Sequence, residues 1–409
     1  MEFKIIVLAF VLISTAYNIA LNIIRYRSAS NPTPDCVSDV YDADTYQQWR
    51  KYSAEHCRLD IISGVISGMV SLVLLVTNAY AEFARLFSED NMHLQLLGVI
   101  ILETVMSTAL NTVFNYFNTM KIEQKYGFNR STVKTFVFDQ IRSLIIAFFF
   151  SVALSELMTL LATNKLLIFF FAVVFFAFSL IISTLFPYLS RIGNKFTPLE
   201  DGELKEKLLE MLSKHGYTVK SIEVMDASRR TTKLNAYIAG LGKTKTIVLY
   251  DNMIEKMSTD EICAIFAHEM GHGLHKDVFK SQILNTGYIA IMSAIVYLVV
   301  FEPRLYTQFG FYSVNFGFAY ILTSIGLAVI QPLTSMVMNA HSRKAEYAAD
   351  KQAVIEGYGE PMISALKKLA KNNFVNLSPS NINVVLEYSH PPIHSRIEAV
   401  KTEMNKNNQ

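Results

Sequence analysis

The sequence predicts a predominantly α-helical, multi-pass membrane protein, in which about seven transmembrane helices enclose an interior cavity and a polar domain carries a small β-sheet. The chain of 409 residues is 51% hydrophobic and only 18% charged. Its mean hydropathy of +0.28 is too high for an ordinary soluble enzyme of this size. Apolar runs long enough to cross a bilayer recur along the chain, and one long polar stretch interrupts them.

Seven apolar runs are candidate membrane spans, because each approaches or exceeds the roughly 20 residues that the hydrocarbon core requires. The first run is also consistent with a signal peptide, since Lys4 precedes its apolar core. It is long, however, and no clear small-x-small cleavage site follows, so a retained span is favoured. The runs are Phe3–Ile24, Ile61–Tyr80, Leu94–Phe117, Leu144–Ala162, Leu166–Leu189, Ile283–Phe301 and Val314–Met338.

These spans divide the chain into four segments. Residues 1–190 hold five spans, 191–280 form the soluble domain, 281–340 hold two further spans, and 341–409 form a C-terminal segment. Glu103 and Glu156 lie within spans. Ionisable groups at membrane depth usually face a bundle interior or a water-filled cavity, and we therefore expect a wet interior.

The soluble domain is predicted to contain one helix and three strands before its principal motif. Thr197–Gly216 is interpreted as the helix, since a proline lies near its start and a glycine ends it. The strands Ile222–Met225, Leu234–Gly240 and Thr246–Tyr250 are separated by Ser/Arg/Thr-rich and Gly/Lys-rich turns. An edge strand of such a sheet can hold an extended peptide by main-chain hydrogen bonds.

An H-E-x-x-H motif spans residues 268–272, within a predicted helix from Asp260 to His275. Ser258 and Glu261 have the spacing of a capping box at the start of this helix. On a helix, His268 and His272 project from one face toward a shared point. Two neutral imidazoles at this spacing can bind Zn²⁺ at about 2.0–2.1 Å, and the intervening glutamate can act as a general base on water.

A catalytic zinc site requires a third protein ligand. The position that supplies a third histidine in metzincins is Val278, which excludes that class, and His275 is poorly placed to complete the site. Glu346 is the better candidate, with Asp350 one turn further along a predicted second helix and able to orient a ligating histidine. An ordinary solvated helix explains the same spacing equally well.

The order of the spans places the candidate ligands on one side of the membrane, because two crossings separate the histidine helix from Glu346. Segments after the first, third, fifth and seventh spans carry most of the Lys and Arg, which makes the ligand side cytoplasmic. On that reducing side, the three cysteines are expected to form no disulfide. The net charge of +2 gives no indication of nucleic-acid binding.

Six segments follow one another along the chain: Glu123–Thr132, Phe196–Leu199, Asn235-Ala236-Tyr237, the motif at 268–272, the Glu346…Asp350 helix, and His390-Pro391-Pro392 followed by Arg396-Ile397. In this order they resemble the type I CaaX prenyl proteases, which are integral-membrane zinc metalloproteases, and the resemblance covers nearly the whole chain. One departure is Ser395, where the family often has glutamate.

This resemblance implies that His268, His272 and Glu346 bind one Zn²⁺ and that Glu269 is catalytic. It further implies that His390 and Asn235 assist catalysis by binding substrate or stabilising the oxyanion. The strand Asn235-Ala236-Tyr237 would bind substrate, Asp350 would support the ligands, and Arg396 would lie near Glu346 or the substrate carboxylate.

The function expected from the resemblance is removal of the last three residues of a prenylated CaaX protein by a membrane zinc endopeptidase with its site on the cytoplasmic side. Such an enzyme would contact membrane lipid and reside in the endoplasmic reticulum, or in the inner membrane of a prokaryotic source. Two alternatives remain open, a broad-specificity quality-control metalloprotease and a catalytically inactive scaffold or transporter. Seven spans disfavour the first alternative, and an intact H-E-x-x-H motif disfavours the second.

Overall fold

The computed structural model describes residues 2–87, 91–162, 168–240 and 244–407, and most of these residues are helical. In chain order the helices are α1 (Glu2–Ser28), α2 (Ala43–Val76), α3 (Ala79–Ala84), α4 (Met92–Tyr116), α5 (Val133–Ala162), α6 (Ile168–Leu189), α7 (Glu203–Lys214), α8 (Asp251–Lys256), α9 (Thr259–Leu274), α10 (Asp277–Val300), α11 (Arg304–Thr307), α12 (Phe316–Ile355), α13 (Gly359–Asn373), α14 (Asn381–Glu387) and α15 (Ile393–Asn407).

Seven helices in the described part of the chain are long and apolar enough to cross a membrane: α1, α2, α4, α5, α6, α10 and α12. They coincide with the seven predicted runs, although the first two residues of the fifth run, 166–167, lie outside the described residues. The predicted multi-pass helical fold is confirmed. Several helices extend well beyond their apolar runs into polar sequence, most of all α2 and α12.

A cavity of about 520 Å³ lies among the spans and contains the predicted intramembrane carboxylate Glu103. Tyr80 donates a hydrogen bond of 2.5 Å from its hydroxyl to that carboxylate. Serine, threonine and asparagine side chains make up much of the remaining wall, which gives the interior a polar lining. Glu156 is not part of that wall and pairs with His93 at 2.8 Å.

The soluble domain contains a four-stranded sheet in the order β1-β2-β4-β3. Its strands are β1 (Phe196–Pro198), β2 (Ser221–Met225), β3 (Ala236–Ala239) and β4 (Thr246–Tyr250). β2 and β4 are parallel, whereas β1 and β3 pair antiparallel with β2 and β4 respectively. β3 therefore lies at an edge of the sheet, and the three predicted strands are confirmed.

The predicted helix from Thr197 to Gly216 is wrong at its N-terminal end. Residues 196–198 form β1, in which Phe196 pairs with Met225, and the helix begins only at Glu203. Pairing with a strand that is distant in sequence outweighs the local signal of a proline near a helix start.

The helix that carries Glu346 is continuous with the last membrane span, because α12 runs without interruption for 40 residues from Phe316 to Ile355. The predicted segment boundaries at 280/281 and 340/341 thus fall inside α10 and α12. Below the membrane, Leu249 of β4, Phe266 of α9 and Leu366 of α13 belong to one buried cluster. This cluster fixes the sheet, α9 and the C-terminal helices in one body.

Candidate metal centre and active site

The helix that carries the H-E-x-x-H motif begins at the predicted capping box. The Ser258 hydroxyl accepts a hydrogen bond of 3.3 Å from the Glu261 amide, and the Glu261 carboxylate accepts one of 2.8 Å from the Ser258 amide. Each bond satisfies an amide that the first helical turn would otherwise leave unpaired. The start of α9 is therefore set locally, before any metal is considered.

Gly271 allows the two ligand-bearing helices to approach each other closely. A Cβ at this position would lie 3.0 Å from the Cβ of Gln352 and 3.1 Å from the Cα of Ala349, both on α12. The second of these contacts is with backbone, which cannot move aside as a flexible side chain can. The glycine inside the motif thus brings α9 against α12 and places the histidines opposite Glu346.

His268, His272 and Glu346 form a compact group whose candidate ligand atoms all lie within 4.8 Å of one another. The two Nε2 atoms are 3.2 Å apart. The Glu346 carboxylate approaches the Nε2 of His268 to 3.5 Å and that of His272 to 3.3 Å. Two ligands at about 2.1 Å from a tetrahedral ion are separated by about 3.4 Å, so this spacing suits a zinc-sized ion.

Both histidines are oriented from behind by carboxylates, as is usual for metal ligands. Asp350 contacts the Nδ1 of His268 at 2.8 Å, as predicted, and Asp277 contacts the Nδ1 of His272 at 3.0 Å. Asp277 was not predicted. It reaches His272 because Lys276, in the left-handed conformation with φ of 58°, turns the chain sharply between α9 and α10.

The residues present fit a divalent metal. The buried Oε2 atom of Glu346 accepts no hydrogen bond and faces the Nη1 of Arg396 at 3.3 Å, so a metal cation bound there would supply the close partner that a buried carboxylate oxygen normally has. Three buried or partly buried carboxylates, on Glu346, Asp350 and Glu269, face one buried guanidinium, on Arg396. Two imidazoles and one carboxylate are ligands that zinc accepts, whereas calcium and magnesium prefer oxygen alone.

Glu269 lies on the cavity wall beside the two histidines. Burial raises the pKa of Glu269 above its usual range, although the two histidines and Arg396 act in the opposite direction. A carboxylate with a raised pKa is a better base for proton transfer near neutral pH. His275 lies at the C-terminal cap of α9 and is not part of the ligand group.

His390 approaches the metal group from a loop after α14, with its Nε2 3.2 Å from the Glu346 carboxylate. Desolvation beside the cavity wall lowers the pKa of His390, with Glu346 acting in the opposite direction and Arg396 in the same one. The Ser389 hydroxyl lies 2.9 Å from its Nδ1. A hydroxyl that donates there leaves the ring proton on Nε2, which faces the ligand group.

Arg396 lies behind the ligands and is only 7% exposed. It donates to Asp350 from Nε at 2.9 Å and from Nη2 at 2.6 Å, and its Nη1 lies 3.3 Å from Glu346. The resemblance implied that Arg396 lies near Glu346 or near the substrate carboxylate, and in the structure it lies near Glu346. The guanidinium holds Asp350 in place by charge-assisted hydrogen bonds and forms an ion pair with Glu346, so it positions both carboxylates of α12.

A cavity of about 370 Å³ opens beside this group and joins it to the edge of the sheet. Tyr237 is not part of its wall and packs against Phe186 and Tyr250 instead. Apolar side chains from α8, α9 and α13 form the far wall. The predicted site residues that line the cavity are Asn235, Ala236, His268, Glu269, Glu346, His390 and Arg396.

The edge of β3 that faces away from β4 is available to an extended peptide. Tyr250 donates from its amide to the Asn235 carbonyl at 3.2 Å, which makes Asn235 and Tyr250 a hydrogen-bonded pair. Because such pairs alternate along an antiparallel ladder, the main-chain groups of Ala236 and Ile238 point away from β4. Ala236 lies on the cavity wall, where its amide donates to the Asn235 side chain at 3.0 Å and its carbonyl faces outward.

The fold and the site define a multi-pass membrane metalloendopeptidase. Residues 198–404 match the model of peptidase family M48, and residues 22–191 match the model described as CAAX prenyl protease N-terminal, five membrane helices. The chain belongs to peptidase family M48, in agreement with the resemblance seen in the sequence.

Full-length relatives agree with this assignment. The CAAX prenyl protease 1 homolog of Oryza sativa subsp. japonica is 27% identical, covering 97% of this chain and 96% of the relative. CAAX prenyl protease 1 of Saccharomyces cerevisiae is 26% identical, covering 97% and 95%. The crystal structure of S. mikatae Ste24p superposes with a TM-score of 0.89 at 26% identity, covering 98% of this chain and 99% of that one.

Proposed function

We propose that this metalloendopeptidase is a zinc enzyme that removes the last three residues of prenylated CaaX proteins at the cytoplasmic face of the endoplasmic reticulum membrane. The observation that carries the proposal is the joint position of the ligand group and the free edge of β3 on one cavity. The full-length relatives, which are CAAX prenyl proteases by name, supply the substrate class.

In this proposal His268, His272 and Glu346 bind the zinc ion, with Asp350 and Asp277 orienting the two histidines. A bound zinc ion supplies Lewis acidity, which activates water and polarises the scissile carbonyl. Glu269 removes the proton from the attacking water and passes it to the leaving amine. His390 donates from Nε2 to the developing oxyanion, a role that is typically worth about 3 kcal/mol where such a donor has been removed.

The substrate peptide binds as an added strand along β3, with its main chain paired to Ala236 and Ile238. The Asn235 side chain stands at the entrance of this strand and on the cavity wall, where it can bind the substrate main chain. The isoprenoid group is held among the membrane helices. Peptide hydrolysis itself does not require a membrane. A lipidated substrate therefore explains why the hydrolytic site lies against seven membrane spans.

Cleavage of a farnesylated CaaX peptide and its unprenylated twin tests the substrate class. In proteoliposomes we expect kcat/KM to be at least about tenfold higher for the farnesylated peptide, because each buried CH₂ contributes roughly 0.8 kcal/mol. Mass spectrometry should detect loss of three C-terminal residues only. Equal rates for the two peptides, or cleavage at many internal bonds, would instead support a broad quality-control protease.

Cysteine labelling in sealed microsomes tests which side of the membrane carries the site. Glu255→Cys on α8 and Thr307→Cys at the end of α11 place exposed thiols on either side of the membrane span α10. In a Cys36→Ser background, where the remaining Cys57 and Cys263 are buried, an impermeant maleimide should label only the first variant. Reversed labelling would place the active site on the luminal side and exclude cytoplasmic CaaX tails as substrates.

A further inference from the structure

The segment Glu123–Thr132, between α4 and α5, braces the stretch of chain that leads into β3. Asn129 and Thr231 form an isolated antiparallel bridge. The Arg130 amide donates to the Arg230 carbonyl at 3.0 Å, and the Thr232 amide donates to the Phe128 carbonyl at 3.1 Å. A membrane-proximal loop thus pairs with residues 230–232, only a few positions before the proposed substrate strand.

Glu123, the first residue of this brace, gathers two hydrogen-bond donors and a neighbouring imidazole around one carboxylate. It accepts hydrogen bonds from the Tyr52 hydroxyl at 2.6 Å and from the Lys233 ammonium at 2.9–3.0 Å, and His56 lies 3.3 Å away. Its side chain is only 15% exposed. The residue ends a π-helical segment, Phe117–Glu123, and such segments occur frequently at functional sites.

Lys233 connects this cluster to the active site because it lies two residues before Asn235. Its ammonium lies 5.0 Å from the ring centroid of Phe128 and 5.6 Å from that of Tyr52, so aromatic faces cover part of a side chain that is 33% exposed. The Lys233 carbonyl accepts a hydrogen bond of 2.9 Å from the side chain of Asn252. Both ends of the residue are therefore fixed.

The next residue, Leu234, is also fixed at both main-chain groups. Its amide donates to the side chain of Asn373 at 2.8 Å, and its carbonyl accepts from the same side chain at 3.0 Å. The two contacts set the position of the strand entry relative to α13. The Glu123–Lys233 pair also fixes the strand entry relative to the membrane helices. Tyr52 and His56, which contact Glu123, belong to α2, and Glu123 itself follows α4.

We propose that Glu123 is a positioning residue that acts through Lys233 to hold the free edge of β3 at the right distance from the metal group. The ion pair thereby links the cytoplasmic ends of α2 and α4 to substrate binding. This inference rests on the proposed role of β3 as the substrate strand. Removing Lys233 leaves the 15% exposed Glu123 carboxylate without its counterion, and removing Glu123 releases the Lys233 side chain, so either change should displace the strand entry.

Charge reversal at both positions tests the pair. Glu123→Lys and Lys233→Glu should each raise KM for a CaaX peptide by about tenfold or more, with a smaller change in kcat and with the metal content retained. The double variant restores opposite charges and should return KM to within about threefold of the wild-type value. Rescue of KM would show that the two charges act as a pair, and a nearly unchanged kcat with full metal content would distinguish displacement of the strand from general destabilisation.

The ion pair between Lys367 and Asp39 provides a matched control. It joins α13 to the segment between α1 and α2, and neither of its residues contacts the strand entry. Reversal of its charges, singly or together, should leave KM within about twofold of the wild-type value. If the control variants raise KM as much as those at Glu123 and Lys233, the inference is wrong.

Hydrogen–deuterium exchange separates this inference from the proposed function. Amides of residues 235–239 should exchange faster in each single variant and recover in the double variant, while α9 stays protected. Failure of the wild-type protein to cleave prenylated peptides would refute the proposed substrate without affecting this readout. Unchanged exchange and unchanged KM in the single variants, or loss without recovery in the double variant, would refute the role of the ion pair.

Discussion

Replacement of Glu269 by glutamine is expected to lower the rate of peptide hydrolysis by a factor of about 10²–10⁴ and to leave the metal bound. Glutamine has nearly the same shape as glutamate, so the packing of α9 is preserved. It cannot accept the proton that the attacking water must lose. Because Glu269 lies beside the metal ligands without belonging to their group, metal content should remain that of the wild-type protein.

Steady-state kinetics and metal analysis on the same preparation measure both halves of this expectation. His390→Ala is a useful comparison, since an oxyanion donor should lower kcat by about 10²–10³ without affecting proton abstraction. The acid limb of the rate profile is a further readout. Glu269 is active only as the carboxylate, so the wild-type rate should fall as the pH drops through the pKa of this group. Turnover of Glu269→Gln within a few-fold of wild type is incompatible with its role as the base.

The membrane architecture was predictable because its signals are local. Apolar runs of the required length fix the existence of each span, and their order alone puts His268 and Glu346 on one side. The capping box at Ser258 likewise identifies the start of α9 from four consecutive residues. Features set by contacts between distant segments were not predictable, and β1 is the clearest case, since its pairing with β2 overrides a helix-like pattern.

The candidate site shows the same division. The i, i+4 spacing identifies two ligands, but spacing alone left Glu346 open between a ligand and a solvated charge. Its 5% exposed side chain and its contacts with both histidines exclude a solvated charge and support a role as ligand, which stays a prediction. The sequence did not indicate a role for Asp277, because an aspartate at a helix start is normally explained by its favourable interaction with the helix dipole. Its approach to His272 depends on the left-handed backbone of Lys276, for which the sequence carries no glycine or asparagine as a signal.

Loss of the third ligand is expected to have the largest effect on the metal. Glu346→Ala should weaken zinc binding by more than about 100-fold, because loss of even an outer-shell partner of a ligand typically costs 10–100-fold. Asp350→Asn, which alters the support of His268, should fall within that smaller range. Glu360→Ala, at an exposed position on α13, is the matched control and should bind zinc as the wild-type protein does.

Metal stoichiometry after dialysis against a chelator, followed by titration with Zn²⁺, measures these affinities directly. Circular dichroism and thermal unfolding must show that Glu346→Ala is folded, which is expected because Arg396 keeps its two hydrogen bonds to Asp350. Reactivation of the metal-free wild-type enzyme tests the identity of the ion. Two imidazoles and one carboxylate should accept Zn²⁺ in preference to Mg²⁺ or Ca²⁺. Full zinc occupancy and activity in a folded Glu346→Ala variant would show that another residue completes the site.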